Sequence, residues 1–133
     1  MRVAERFIAE CQGDVPFEQS PQAVGSYEQL LAGEEIDAVY LPLPNDLHGP
    51  WIRHAADAGK HILCEKPMAM NQYDVQTMVE AARRNDVFLM EAFMYRCTPQ
   101  TRRLVELVRE GAVGEVRAIR ATFSFQCGYD HLE

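Results

Sequence analysis

Residues 61–67 read His-Ile-Leu-Cys-Glu-Lys-Pro, and no other stretch constrains the fold of this chain as tightly. An apolar run of strand length ends in a carboxylate, an ammonium and a proline. Proline has no N–H to give a sheet ladder, so the strand stops by Pro67 and the backbone turns. A lysine fixed at such a stop lies at the mouth of a sheet, where open α/β sheets bind ligands beyond the carboxyl ends of their strands. Composition alone allows a plainer reading, in which Glu65 and Lys66 are a solvated pair at a strand end. The flanking sequence bears on the choice.

Upstream, Ile36–Leu41 is a short, mostly apolar strand candidate broken by Pro42 and Pro44. Asn45 or Asp46 then caps a helix from about Leu47 to Ala58, with Trp51, Ile52, Ala55 and Ala56 as its inner face. Gly59 is its expected left-handed stop, and Lys60–Cys64 is the next strand. Downstream, Asn71 with Asp74 opens a second helix to about Arg84 that buries Val75, Met78, Val79 and Ala82. Asn85 ends it, and Val87–Met90 is a third strand. Strands alternating with single amphipathic helices mean βαβ units and a parallel sheet.

Both ends of the chain read differently. Val3, Phe7, Ile8 and Cys11 share one face of a helix over residues 2–11, which Gly13 and Pro16 end. A loop from Gln12 to Gly25 leads to Ser26, the N-cap of a helix at Tyr27–Ala32, with Gln29 at the capping-box offset. After Arg96, Thr98 caps and Pro99 opens a helix with a Leu104, Leu107, Val108 stripe, stopped by Gly111. Ile119, Ala121, Phe123 and Phe125 then alternate with Arg120, Thr122, Ser124 and Gln126. That alternation predicts a half-buried antiparallel strand over Val116–Gln126. A domain crossing is expected near residues 92–98, dividing the chain into 1–92 and 93–133.

The 133 residues suffice for one sizeable core. The net charge is −7 with no basic run, which argues against nucleic acid or an anionic membrane as a partner. No apolar stretch approaches the roughly 20 residues of a membrane span, and residues 1–6 lack the apolar core of a secretory signal. Cys11, Cys64, Cys97 and Cys127 are scattered with no CxxC pair, so zinc or a disulfide framework is not expected. A reducing cytoplasm is the expected compartment, with the thiols buried. His54, His61 and His131 have no metal-ligand spacing, and no metal site is expected. Tyr40, Tyr95 and Trp51 read as core or cleft wall.

Six segments in register carry a resemblance. They are Gly25–Leu31 (GSYEQLL), Ile36–Tyr40 (IDAVY), Pro44–His48 (PNDLH), Ala58–Pro67 (AGKHILCEKP), Glu91–Arg96 (EAFMYR) and Gly111–Val116 (GAVGEV). Together they resemble the glucose–fructose oxidoreductase/inositol dehydrogenase/MocA family of NAD(P)-dependent oxidoreductases, in its dihydrodiol and sugar dehydrogenase branch. The resemblance implies an α/β fold: a Rossmann domain with a doubly wound parallel sheet, followed by an α+β domain with an antiparallel sheet. It also implies a protein more than twice this length, of which this chain is the middle. Residues 1–92 would be the C-terminal part of the Rossmann domain, and 93–133 the start of a substrate and oligomerisation domain. No GxGxxG occurs, since no two glycines stand two positions apart, so the pyrophosphate-cradling helix start is expected upstream. In the Rossmann order 3-2-1-4-5-6 the strand absent here is central, and the Ile36–Leu41 strand is expected to lose that neighbour.

By the same resemblance Lys66 is the catalytic residue, reaching the nicotinamide and the substrate hydroxyl. A lysine in a partly desolvated cleft has a lowered pKa and can act as acid or base near neutral pH. Family members have a cis bond before the proline that aims this lysine. Pro44, Asn45, His48, Glu65, Lys66, Pro67, Glu91 and Arg96 are the implied cofactor-binding residues, for NAD or NADP. Bland readings stand beside these: Asn45 as an N-cap only, His48 as a satisfied first-turn histidine, Glu91 and Arg96 as an interdomain ion pair. Leu43 replaces a threonine common in the family, and Thr98 stands where the branch has histidine.

The expected activity is reversible hydride transfer between nicotinamide and a secondary alcohol of a sugar, polyol or dihydrodiol. The implied partners are that small-molecule substrate and, at full length, further copies of the same chain. Two rivals remain: a non-catalytic binding or regulatory protein on the same fold, and a different Rossmann enzyme of the homoserine or biliverdin-reductase type. With its phosphate cradle expected outside these residues, the 133-residue chain alone is expected to fold poorly and bind no dinucleotide tightly. Titration of this chain with NAD(P) checks this, and nanomolar binding overturns it.

Overall fold

The computed structural model describes residues 2–14 and 17–124 and divides the chain into two units, Met1–Phe93 and Met94–Glu133. In the first, α1 (Arg2–Asp14) and α2 (Tyr27–Leu31) precede β1 (Ala38–Leu41), α3 (Asn45–Asp57), β2 (His61–Cys64), α4 (Gln72–Arg84) and β3 (Leu89–Glu91). The strands form one parallel sheet in the order β1-β2-β3. Parallel neighbours need a crossover, and α3 and α4 supply the two. Val39 lies opposite Ile62, and Cys64 lies between Leu41 and Glu91.

Side chains of adjacent strand residues point to opposite faces, and one face holds the core. Val39, Ile62 and Cys64 pack against Ile52, Ala55 and Ala56 of α3 and Met78 and Ala81 of α4. Gly49 faces α4, where a Cβ would stand 3.2 Å from Met78 Cε and the tip of that side chain would have to give by a few tenths of an ångström. The opposite face carries Tyr40, Leu63 and Met90 in register, at 53%, 39% and 49% exposure. The parallel α/β reading therefore holds, but the doubly wound arrangement does not appear among the described residues: their helical layer covers one face.

Local chemistry sets the element ends. Ser26 Oγ accepts from the Gln29 N–H at 3.1 Å, and Gln29 Oε1 reaches back to the Gly25 N–H at 3.1 Å. Asn71 Oδ1 accepts from the Asp74 N–H at 3.0 Å, as the sequence predicts. At Gly59, φ is +73°, and the N–H groups of Gly59 and Lys60 close on the carbonyls of Ala56 and Ala55, a Schellman stop. The same closure ends α4, but Asp86 rather than a glycine takes the left-handed conformation, φ +54°. β2 begins at His61 because the Lys60 N–H is used in the α3 closure. Lys60 itself is buried, with Nζ donating to the Gly33 carbonyl at 2.7 Å, a tie the sequence does not announce.

Several expectations are corrected. Helix α1 runs through Gly13 to Asp14, and Val3 and Phe7 on its apolar face are exposed. Helix α3 begins at Asn45 with Pro44 as N-cap and no side-chain cap. The intrinsically fixed φ of Pro44 is compatible with that place, and Asn45 is already helical. Of the thiols, Cys64 is buried, Cys11 half-buried and Cys97 exposed. The second unit contains a 3₁₀ turn, η1 (Met94–Cys97), and α5 (Pro99–Arg109), capped by Thr98 Oγ1 on the Thr101 N–H at 3.3 Å. Leu104 and Val108 of its stripe are exposed. The expected antiparallel strand is absent where it can be seen: residues 115–124 have no regular secondary structure. A strand exists only through ladder pairing, and the ladders among the described residues are β1–β2 and β2–β3. Pro16, Phe125, Gln126, Cys127 and His131 lie outside the described residues. Among those described, no helix is long and apolar enough to cross a membrane.

Because Ile52 is wholly buried where α3 meets the sheet, Ile52→Ala in the full-length protein is expected to cost about 3 kcal/mol. Tyr73→Ala, at a 73% exposed position, is expected to stay within about 0.5 kcal/mol. Denaturant midpoints of the two variants check this.

Candidate functional site at the carboxyl ends of the strands

The ladder between β1 and β2 ends with the Glu65 N–H on the Leu41 carbonyl at 3.1 Å, and that between β2 and β3 with the Ala92 N–H on the Cys64 carbonyl at 2.8 Å. Beyond these bonds the backbone turns through Lys66 and Pro67, whose connecting peptide is cis. Side chains from three elements tie this turn down. Glu65 Oε2 accepts from the Lys66 N–H at 3.1 Å, while Tyr40 of β1 donates its hydroxyl to Glu65 Oε1 at 2.7 Å. Glu91, the last residue of β3, accepts from the Met68 N–H at 2.8 Å. From the first turn of α3, His48 places Nδ1 3.0 Å from the Pro67 carbonyl and Nε2 2.8 Å from the Leu43 carbonyl.

His48 is wholly buried. Both its nitrogens face carbonyl oxygens, which only accept. The neutral ring can donate to one of them, and the imidazolium to both.

The predicted residues fall into three groups. Glu65, Lys66, Pro67, His48 and Glu91 are joined by the hydrogen bonds above, with the Lys66 ammonium as the exception. Lys66 is exposed, and its Nζ has no hydrogen-bond or ion-pair partner among the described residues. The cleft expected to desolvate it is not built by them. Pro44 and Asn45 stand at the start of α3, exposed, and the Asn45 side chain makes no hydrogen bond among the described residues. Arg96 belongs to the second unit, where it lines an open groove with Thr101, Arg102, Val105, Glu106 and Arg109.

Electrostatics follow from these bonds. The Tyr40 hydroxyl, then the Lys66 N–H, hold the Glu65 carboxyl below the ordinary glutamate range. The same bond to Glu65 raises the Tyr40 phenol. Burial, reinforced by the charges of Glu91 and Glu65, pushes the Cys64 thiol up to about 11. Cys64 is thus a neutral thiol rather than a nucleophile, and it donates to the Glu65 carbonyl at 3.3 Å.

Tyr40 is the participant that sequence reasoning passes over as core or cleft wall. A signal for it existed: Tyr40 pairs with Leu63, so Glu65, two residues on, shares its face of the sheet. An apolar cavity of about 290 Å³ lies beside β1, walled in part by Leu30, Val39, Leu41, Leu43 and Trp51, and it contains none of the predicted site residues. Among the described residues no group of three or more His, Cys, Asp or Glu is placed to hold a metal ion.

Comparison with known proteins bears on this geometry. Residues 2–93 match the family model described as "Oxidoreductase family, NAD-binding Rossmann fold". The chain is 48% identical over 106 residues to a D-xylose 1-dehydrogenase (NADP(+)) of Haloferax volcanii, covering 80% of this chain and 32% of that protein. It is 43% identical over 124 residues to a trans-1,2-dihydrobenzene-1,2-diol dehydrogenase of Danio rerio, covering 91% and 36%. A crystal structure of KijD10, a 3-ketoreductase from Actinomadura kijaniata in complex with NADP and TDP-benzene, superposes with a TM-score of 0.69 at 35% identity. That match covers 83% of this chain and 33% of that one. The chain spans about a third of the length of these relatives.

The Tyr40–Glu65 bond gives a pH prediction. A carboxyl with a lowered pKa stabilises the fold above the ordinary glutamate range and loses that contribution as pH falls through its own titration. Tyr40→Phe is expected to move the Glu65 midpoint up toward 4.5, read from the side-chain carboxyl ¹³C shift. An unchanged midpoint overturns the assignment.

Proposed function

The chain belongs to the glucose–fructose oxidoreductase/inositol dehydrogenase/MocA family of oxidoreductases, and on that premise we propose that it is part of an NAD(P)-dependent dehydrogenase or reductase. Its substrate is a secondary alcohol of a sugar, polyol or dihydrodiol, or the matching ketone. One observation carries this reading: the turn holding Lys66 is tied at its backbone by Glu65, Glu91 and His48, while the Lys66 ammonium stays exposed and makes no hydrogen bond or ion pair among the described residues. A basic side chain held on a rigid support and open to a ligand is what proton transfer at a hydroxyl requires.

A bound nicotinamide would supply the hydride acceptor or donor. As the neutral amine Lys66 would take the hydroxyl proton when the alcohol is oxidised, becoming the ammonium, and as the ammonium it would give that proton back when the ketone is reduced. Pro44, Asn45, Glu65 and Pro67, at the ends of β1 and β2, would hold the cofactor. His48 and Glu91 stand behind them, and Arg96 is a further cofactor-binding residue on this reading. The residues present fit the nicotinamide end of a dinucleotide site, with open polar groups at Asn45 and Lys66. They do not fit its pyrophosphate, for which the chain offers no GxGxxG. Residues 1–92 belong on this reading to the dinucleotide-binding domain, and 93–133 begin the substrate domain, through which full-length copies associate.

The test is Lys66→Ala in the full-length protein. The turnover number is expected to fall about 10²- to 10⁴-fold, with NAD(P) still bound. Turnover within about threefold of wild type, or loss of dinucleotide binding, would remove Lys66 from the chemistry.

A further inference from the structure

We propose that His48 is a positioning residue, a clamp that fixes the Lys66–Pro67 turn to the first turn of α3 through its Nδ1–H and does not itself touch the cofactor. The proposal rests on the reading of Lys66 given above. His48 has no exposed surface, and both ring nitrogens are engaged by backbone carbonyls, Pro67 at 3.0 Å and Leu43 at 2.8 Å. Neither nitrogen is open to a ligand.

The two carbonyls belong to different turns, one after each of two neighbouring parallel strands. Both turns leave the sheet at a proline, beyond the last ladder bond, where neither β1 nor β2 constrains them. Pro67 has no N–H, so its carbonyl is the backbone polar group at that residue, and His48 is its partner. The carbonyl lies one residue from Lys66, close enough for a shift at Pro67 to be passed to the Lys66 side chain. Glu65 and Glu91 hold the N–H groups of Lys66 and Met68. His48 holds the accepting side of the turn at Pro67, where no other side chain among the described residues donates.

The clamp predicts different outcomes for the two amide replacements. Asn places its donor where Nδ1 stands and can keep the bond to Pro67. Gln reaches to the Nε2 position and can keep only the bond to Leu43. In the full-length protein, His48→Ala and His48→Gln are expected to lower kcat about 10- to 100-fold, the cost of misplacing a reacting group by about an ångström. Cofactor affinity should stay within about threefold, and His48→Asn should recover most of the loss. Amide hydrogen exchange should quicken in His48→Ala at Leu43–Leu47 and Glu65–Met68 together, ahead of the rest of the first unit. Equal loss in Asn and Gln with uniformly faster exchange means a packing role only and overturns the clamp.

Should the variants not fold, the wild-type protein decides. A ring proton on Nδ1 protected from solvent exchange in ¹⁵N spectra is expected, and an unprotonated or freely exchanging Nδ1 overturns the proposal. If the wild type transfers no hydride, the reading of Lys66 fails, while the exchange and ¹⁵N measurements still judge the clamp.

Discussion

The central strand β2 is hydrogen-bonded on both sides, to β1 through His61–Cys64 and to β3 through Ile62–Cys64, and the rest of the first unit depends on where that pairing stops. Pairing on two flanks leaves β2 no freedom to slip, because a one-residue shift would turn Ile62 and Cys64 out of the core. Its end is therefore fixed to within a residue. The proline that ends it makes the next backbone groups available to side chains instead of strands. Tyr40, Glu65, Glu91 and His48 act on this short stretch because the ladder can no longer do so.

Those side chains meet a physical requirement as well as a functional one. Buried polar groups cost free energy unless hydrogen-bonded, about 1–3 kcal/mol for each left unmade. No buried side-chain nitrogen or oxygen among the described residues lacks a partner. His48 and Lys60 are the two buried polar residues among those described, and each uses its burial to join segments that the sheet does not. Lys60 ties the start of β2 to Gly33 beyond α2, and His48 ties the ends of β1 and β2. One lies at each end of the same pair of strands, so the β1–β2 unit is held at both ends by side chain to backbone bonds.

Much of this is legible in the sequence, and the exceptions have physical causes. Caps at Ser26, Asn71 and Thr98, and the stop at Gly59, are local interactions between residues three to five apart, which a sequence displays directly. The three strands and two crossover helices follow from periodicity. Boundaries slip where a residue serves two elements: Lys60 looks like strand but spends its N–H on α3, and Asn45 looks like a cap but is already helical. Asp86 hides because nothing in its side chain announces a left-handed conformation, where glycine would. The site residues are visible as types and places. The bonds of His48 to Pro67 and of Tyr40 to Glu65 span 19 and 25 residues, and pairs so distant emerge only once the register of the sheet is known.

The two largest departures from expectation share one cause. A doubly wound sheet and an antiparallel strand are both statements about neighbours, whereas hydrophobic pattern describes only the surface a segment offers them. Tyr40, Leu63 and Met90 form a cross-strand row of the kind that a second layer covers, and Ile119 and Phe123 alternate with polar residues as a half-buried strand does. All five side chains are exposed, Ile119 at 85% and Phe123 at 77%. The burial those patterns anticipate is not supplied by the described residues. The covered face behaves otherwise: Ile62 and Cys64 are buried because α3 and α4 are tethered directly to the strands they cover, so pattern and partner come from the same stretch of chain. Periodicity is thus a sound guide to structure where the partner is local. Where the partner is remote, it identifies a surface that remains to be covered.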